Sequence, residues 1–316
     1  MQLFKQQTSI DFIGSRKIAL VFSVLLLSAG IYSLSTQGLN YGIDFTGGTK
    51  VELAYQDDAD ISSIRNTMEA NGYADAVVQL FGSSKEVLIR VPLSNDNSSA
   101  EVSTRIVELL RASGGGDFDT RAVEFVGPQF GQELFEKGIL ALVYALIGVM
   151  IYVAFRFEWK FSLGSVAALI HDVIITIGLF SLVSLEFTLP VLAALLAVIG
   201  YSLNDTIVVF DRIRENFRKL RDADTKETMN VSINQTLPRT ILTSFTTLLV
   251  LIALYFYGGE ALNGFAATLI IGVVIGTYSS IFVASPTVLA LGAKAEDLMV
   301  EEIEKEGAEH PDMHLP

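Results

Sequence analysis

Six runs of apolar residues set the terms for this chain: Ile18–Ser35, Gly138–Phe155, Phe161–Leu185, Leu189–Phe210, Thr240–Tyr257 and Leu262–Leu291. Each is long enough to cross a ~30 Å hydrocarbon core as an α-helix, some with tilt. The composition agrees: 51% of the 316 residues are hydrophobic and 18% are charged, against about 25% charged in an average soluble domain. The expected fold is an all-α membrane bundle of six helices. The first run follows basic residues, as a signal peptide would. However, 18 residues exceed a ~7–15-residue signal core, and Ser33-Leu34-Ser35 is a poor cleavage site, so it reads as a retained span.

The loops set the orientation. The segments 1–17, 156–160 and 211–239 carry three, two and seven Lys or Arg, whereas Glu186–Thr188 and Gly258–Ala261 carry none. Basic residues stay cytoplasmic. Both termini, the loop 211–239 and the acidic tail 292–316 are therefore expected inside, and residues 36–137 outside, in the periplasm. The formal net charge is −13, and its Lys and Arg flank apolar spans instead of forming a basic domain face. Nucleic acid is thus an unsuitable partner.

Residues 36–137 contain sixteen acidic and eight basic residues and alternate between strand and helix patterns. Thr49–Tyr55 reads as a strand, and Asp60–Asn71 as a helix with Ile61, Ile64 and Met68 on one face. Ala76–Phe81 and Glu86–Val91 read as strands around a Gly82-Ser83-Ser84 turn. Ser98–Ala112 is a second helix opened by a Ser98-x-x-Glu101 capping box, and Thr120–Val126 is a last strand. The order βαββαβ is the ferredoxin-like α+β pattern. The domain is either an acidic scaffold, which composition favours, or a docking surface for protein. The segment 222–237, with Met229, Ile233 and Leu237 at helical spacing, is expected as a cytoplasmic helix, on the membrane surface or within the loop.

Several kinds of chemistry are excluded. There is no cysteine, and His171, His310 and His314 are scattered, so no metal site is expected. Gly47-Gly48-Thr49-Lys50 lacks phosphate-loop spacing. The chain is not expected to be an enzyme, and its energy must come from a partner or an ion gradient. An intramembrane aspartyl protease built on Asp172 and Asp205 is disfavoured, because neither sits in a Gly-x-Gly-Asp element.

Ionisable groups at membrane depth cost roughly 2.5–3.5 kcal/mol each on insertion scales. Asp172, beside His171, lies near the middle of span three. Asp205, preceded by Asn204, lies in span four, and Arg239 opens span five after Pro238. Spans four and five are consecutive, so Asp205 and Arg239 can meet, either as a structural ion pair or as a proton site. For His171 and Asp172 the favoured reading is hydrogen bonding at a helix interface. Gly272-x-x-x-Gly276 in span six suits close helix packing.

Four motifs then carry a resemblance: Gly38-Leu-Asn-Tyr-Gly-Ile-Asp-Phe-Thr-Gly-Gly-Thr49, Phe125-Val-Gly-Pro-Gln-Phe-Gly-Gln-Glu-Leu134, Gly200-Tyr-Ser-Leu-Asn-Asp-Thr-Ile-Val-Val-Phe-Asp-Arg-Ile-Arg-Glu-Asn216 and Leu237-Pro-Arg-Thr-Ile-Leu-Thr-Ser244. From about Asp11 to Gly292 the chain resembles the SecF members of the SecD/SecF family of Sec protein-export subunits. The resemblance implies an RND-type half-bundle that pairs with six spans of SecD. It also implies a role after SecA and the SecYEG translocon have begun translocation, with the proton gradient drawing preprotein outward and YajC as a further partner. It carries the family's proton relay onto Asp205 and Arg239, with no cofactor beyond the gradient. It leaves Asn204, His171 and Asp172 as supporting residues, and places the protein in the bacterial inner membrane. Gly42, Gly47, Gly48, Gly127 and Gly131 flank the ties between the outer domain and the membrane and are the expected hinges. Half of an RND exporter, or a subunit that only stabilises SecD, are the alternatives.

Overall fold

Long apolar segments leave a backbone no choice in lipid but to satisfy its own hydrogen bonds, and the result is helical. The computed structural model describes residues 8–92, 99–114, 116–220 and 223–293. Among them, six helices are long and apolar enough to cross a membrane. They are α1 (Arg16–Thr36), α5 (Pro128–Arg156), α6 (Trp159–Leu182), α7 (Leu189–Lys219), α8 (Thr225–Tyr257), and a last span made of α9 (Glu260–Ser279), a π turn (Ser280–Ala284) and α10 (Ser285–Ala290). The Ser98 cap, His310, His314 and most of the acidic tail lie outside the described residues.

Three helices overrun their apolar runs. α5 starts ten residues early at Pro128, whose missing N–H is harmless in a first turn. α7 continues to Lys219, and α8 starts at Thr225 and runs through Pro238 without a break. The segment from Thr225 onward is thus neither a separate loop helix nor a surface helix. Met229, Ile233 and Leu237 turn inward onto Ile213 and Phe217 of the α7 extension. The N-terminal segment closes over this end. Ile10 N–H donates to Asn234 Oδ1 (3.0 Å) and Ile13 N–H to Asn230 Oδ1 (2.9 Å), while Phe12 and Ile13 join the same core.

The inserted segment forms β2 (Gly48–Tyr55), α3 (Ile61–Ala70), β3 (Val77–Phe81), β4 (Ser83–Val91), α4 (Ser99–Ala112) and β5 (Phe118–Val126). The four strands make one antiparallel sheet in the order β3-β4-β2-β5. Asp60 caps α3 by accepting from Ser63 N–H at 3.1 Å. Strand β4 begins three residues earlier than its hydrophobic pattern, because Gly82, at φ +80°, turns the chain tightly enough for Phe81 to pair with Ser83. One face of the sheet buries Val51, Leu53, Val87 and Ile89 against Ile64, Met68, Ile106 and Leu110 of the two helices.

The sheet domain is fastened to the bundle by a small junction. β1 (Asn40–Tyr41) pairs in parallel with β6 (Glu186–Phe187), the turn between α6 and α7. A four-residue helix α2 (Ile43–Thr46) follows, and Phe45 packs on Phe187, Val191 and Leu192. At the end of α2, Gly47 and Gly48 have φ of +70° and +139°, and a Cβ on Gly48 would stand 2.6 Å from the Val91 carbonyl oxygen. Only glycine fits this close approach.

Candidate functional site

Small residues bring the spans close enough for polar side chains to meet. A Cβ on Gly178 of α6 would lie 2.5 Å from Gly30 Cα of α1. Gly272 and Gly276 of α9 face Val198 and Ser202 of α7 with no room for a side chain, which is the close packing their spacing suggests. Interhelical hydrogen bonds can form across such contacts in a medium that offers no competing water.

Asp172 is the hub of the resulting network. It is 1% exposed. Its Oδ2 accepts from Ser202 Oγ of α7 (2.6 Å) and from Ser279 Oγ of α9 (2.7 Å), and its Oδ1 lies 2.9 Å from His171 Nδ1. His171 Nε2 reaches Ser23 Oγ of α1 at 3.2 Å; Ser23 in turn meets the Tyr278 hydroxyl at 3.0 Å, which donates to Ala19 O at 2.8 Å. One continuous polar chain therefore ties α1, α6, α7 and the last span. Ser279 is followed directly by the π turn. Pro286 explains that turn: it has no N–H for the carbonyl of Phe282, and its ring crowds that carbonyl, so the helix widens.

Asp205 has a different environment. It lies on α7 and is 2% exposed, yet its Oδ2 is buried without a hydrogen-bond partner. The adjacent Thr206 hydroxyl, and that of Thr240 beside Arg239 on α8, are buried and unpartnered as well. Arg239 is exposed and near enough for its charge to act on Asp205, but among the described residues no ion pair within 4 Å joins them. Asn204 is exposed on the same helix. Thus α7 and α8 bring Asp205 and Arg239 into electrostatic reach, while His171 and Asp172 belong to a separate, saturated cluster.

The end of α7 beside the sheet domain carries a second set of contacts that the sequence did not reveal. Asp44 Oδ2 accepts from Leu189 N–H at 2.7 Å, a carboxylate at a helix N-terminus. Arg90 of β4 pairs with Glu186 at 3.0 Å, the two side chains being 7% and 23% exposed. Burial pushes the Glu186 carboxyl up, against the opposing pull of Arg90 and Lys50. The five candidate hinge glycines surround this junction. Gly42 abuts Glu186 and Thr188, and Gly131 abuts the backbone of Phe45 and Gly47, whereas Gly127, at the start of α5, has open space. A lone Arg inside the apolar strand Val87–Val91, and a lone carboxylate in an otherwise uncharged turn, were the available signals for the Arg90–Glu186 pair.

Comparison with known proteins places these features in a family. The model for the C-terminal part of the protein export membrane protein SecD/SecF matches residues 106–294, and that for the SecD/SecF GG motif matches residues 32–59. The protein translocase subunit SecF of Vibrio alginolyticus is 48% identical over 312 residues, which is 99% of either chain. That of Pseudomonas aeruginosa is 47% identical, over 92% of this chain and 94% of its own. A crystal structure of SecDF, a translocon-associated membrane protein from Thermus thermophilus, superposes with a TM-score of 0.81 at 39% identity. A structure of SecDF in a super-membrane-facing form superposes at 0.68 with the same identity. Both matches cover 92% of this chain but only 40% of the solved one, so this chain spans well under half of those proteins. Full-length similarity to translocase subunits, carried on six apolar helices and a double-glycine junction, shows that the chain belongs to the SecD/SecF family and is a SecF-like protein-export subunit.

Proposed function

We propose that this chain is the SecF half of a proton-driven device that draws preprotein outward through SecYEG after SecA has initiated translocation. Asp205 is the proton-carrying group and Arg239 its electrostatic counterpart. The observation that carries this reading is the contrast between two buried aspartates. Asp172 has its carboxyl oxygens saturated by three side chains, whereas Asp205 keeps a buried oxygen without a partner. An unsatisfied buried carboxyl oxygen is costly. In lipid such a residue is retained where its charge or its partner changes. Asp172 then holds α1, α6 and the last span together as the frame, and Ser202 is the hydrogen bond that ties α7 to it.

The same helix offers the coupling. Asp205 and Leu189 are sixteen residues apart on α7, about 24 Å at 1.5 Å per residue, and Leu189 holds Asp44 at the base of the sheet domain. A shift of α7 would be passed directly to that base, with Gly127 as the freest hinge. The βαββαβ order and antiparallel sheet support a ferredoxin-like domain. The loop charges support a periplasmic site for it, with both termini in the cytoplasm and the bundle in the inner membrane. SecD would supply six further spans of an RND-type assembly and a second relay carboxylate near Asp205. Two solved SecDF forms with equal identity but different TM-scores support mobility of this kind.

Arg239 provides the test. Arg239→Ala in complex-normalised inverted vesicles should remove the part of preprotein translocation that an uncoupler inhibits, and leave ATP-driven translocation in place. Arg239→Lys keeps the charge but loses the planar fork, and should retain an intermediate fraction. Full uncoupler sensitivity in Arg239→Ala would refute the assignment.

A further inference from the structure

A groove of about 750 Å³ runs along the lipid side of the bundle between α1, α6 and the last span, at the end away from the sheet domain. Its walls include Leu20, Val24 and Leu27 of α1 and Ile170 and Ile174 of α6. Phe282, in the π turn, and Pro286, just after it in α10, shape its far side. The mouth carries Arg16, Lys17 and Lys226. From Arg16 to Leu27 the helix rises about 16 Å, roughly half of a ~30 Å hydrocarbon core and so the depth of one leaflet.

We propose that this groove is a binding site for one anionic phospholipid, its acyl chain lying against α1 and α6 and its phosphate held by Lys17 and Lys226, with Arg16 beside them. Charge complementarity selects that occupant. The walls are apolar, and among the described residues none of the three cations has a carboxylate oxygen within 4 Å. The nearby acids Asp11, Asp224 and Glu227 line a neighbouring cavity that Arg16 and Lys226 also border, whereas Lys17 faces the groove alone. Asp11 Oδ1 accepts from Gly14 N–H and Asn230 Nδ2, both at 2.7 Å, and its charge acts on Arg16, whose guanidinium donates to the Ile13 carbonyl at 2.9 Å, so Lys17 and Lys226 are the cations left for the lipid. A zwitterionic lipid would fill the apolar walls equally well but leave Lys17 and Lys226 without an anionic partner. Ser23 and His171 form part of the groove floor. A seated acyl chain would therefore close the outer face of the Asp172 network to water and help keep it a dry, fixed frame.

The test is retention of phosphatidylglycerol by the full chain, purified with its membrane partner from mixed phosphatidylglycerol–phosphatidylcholine nanodiscs and read by native mass spectrometry. Each cation near an anionic lipid surface contributes about a fivefold gain in affinity, so Lys17→Gln with Lys226→Gln should weaken retention roughly thirtyfold. The control pair Arg218→Gln with Lys219→Gln removes equal charge from the same end of the bundle and should change retention little. Ala167→Phe, which fills the groove and spares the cations, should also release the lipid. A photoreactive group at Leu20 should label lipid. Unchanged retention in the Lys17/Lys226 variant, an equal loss in the control pair, or labelling of a protein subunit from Leu20 would each overturn the proposal; the second outcome would mean general surface attraction, and the third a protein-filled groove.

Discussion

Replacing Asp172 by alanine removes the acceptor of three side chains at once: Ser202 at 2.6 Å, Ser279 at 2.7 Å and His171 at 2.9 Å. Ser202 and Ser279 lie on other helices, and interhelical hydrogen bonds in membrane proteins average ~0.6 kcal/mol, so these two give about 1 kcal/mol before the His171 contact within α6 is counted. Each polar group left buried and unpaired can add ~1–3 kcal/mol, so about 1 kcal/mol is a lower bound for Asp172→Ala and about 2 kcal/mol or more is expected. Asp172→Asn is the discriminating partner. Its side-chain oxygen still accepts from both serines, and its amide can donate to His171 Nδ1 if the imidazole proton moves to Nε2, where it faces Ser23. The expected loss is below ~1 kcal/mol. Equilibrium unfolding of the purified chain in mixed micelles of rising dodecyl sulfate content measures both variants. Circular dichroism and the fluorescence of the single tryptophan, Trp159, would follow the transition. Alanine as stable as wild type, or asparagine as costly as alanine, would refute a hydrogen-bonded frame.

The junction yields a pH-dependent prediction. Burial raises the Glu186 pKa in the docked sheet domain, so docking binds a proton relative to an undocked state in which Glu186 titrates near ~4.3. Docking should therefore strengthen as the pH on the sheet-domain side falls through the raised value, and level off below the ordinary carboxylate range. Glu186→Gln should dock without that dependence, read as the spread of a spin-label distance between sheet domain and bundle. Arg90→Ala leaves Glu186 without its cation and should loosen docking by roughly 1–3 kcal/mol, below the fully buried range because Glu186 is partly wet. Reporter fusions at Gly259 should give a periplasmic signal and fusions at Glu158 a cytoplasmic one; the reverse would invert the orientation. In mild detergent the chain should co-purify with a second six-span subunit, and a fully active preparation without one would contradict the two-half assembly.

The spans were legible because twenty apolar residues in a row admit few structures. Their ends were not, since the polar extensions of α7 and α8 are stabilised by each other. Met229 and Ile233 pack on Ile213 and Phe217, and hydropathy at any one position cannot report that pairing. The sheet domain was legible strand by strand, except where Gly82 let β4 begin early. Asp172, Asp205 and Arg239 stood out because charge in lipid is costly. Their surroundings did not: Ser23, Ser202 and Ser279 are single hydroxyls in apolar helices, and such residues usually bond their own backbone. The π turn depends on Pro286 acting on a helix already fixed by its neighbours, and the Arg90–Glu186 pair joins residues far apart in sequence. Neither leaves a local pattern.

In the proposed mechanism, proton coupling depends on Asp205. Asp205→Asn keeps size and hydrogen-bonding capacity but cannot gain or lose charge. The measurement is preprotein translocation into inverted vesicles, with SecA and ATP supplied, with and without an uncoupler, normalised to assembled complex. If Asp205 carries the proton, the variant assembles normally, translocates slowly with ATP, and slows no further when the uncoupler is added. Uncoupler sensitivity equal to that of wild type, or a fall in assembled complex with normal export per complex, would contradict this role and leave Asp205 as a structural pin between α7 and α8.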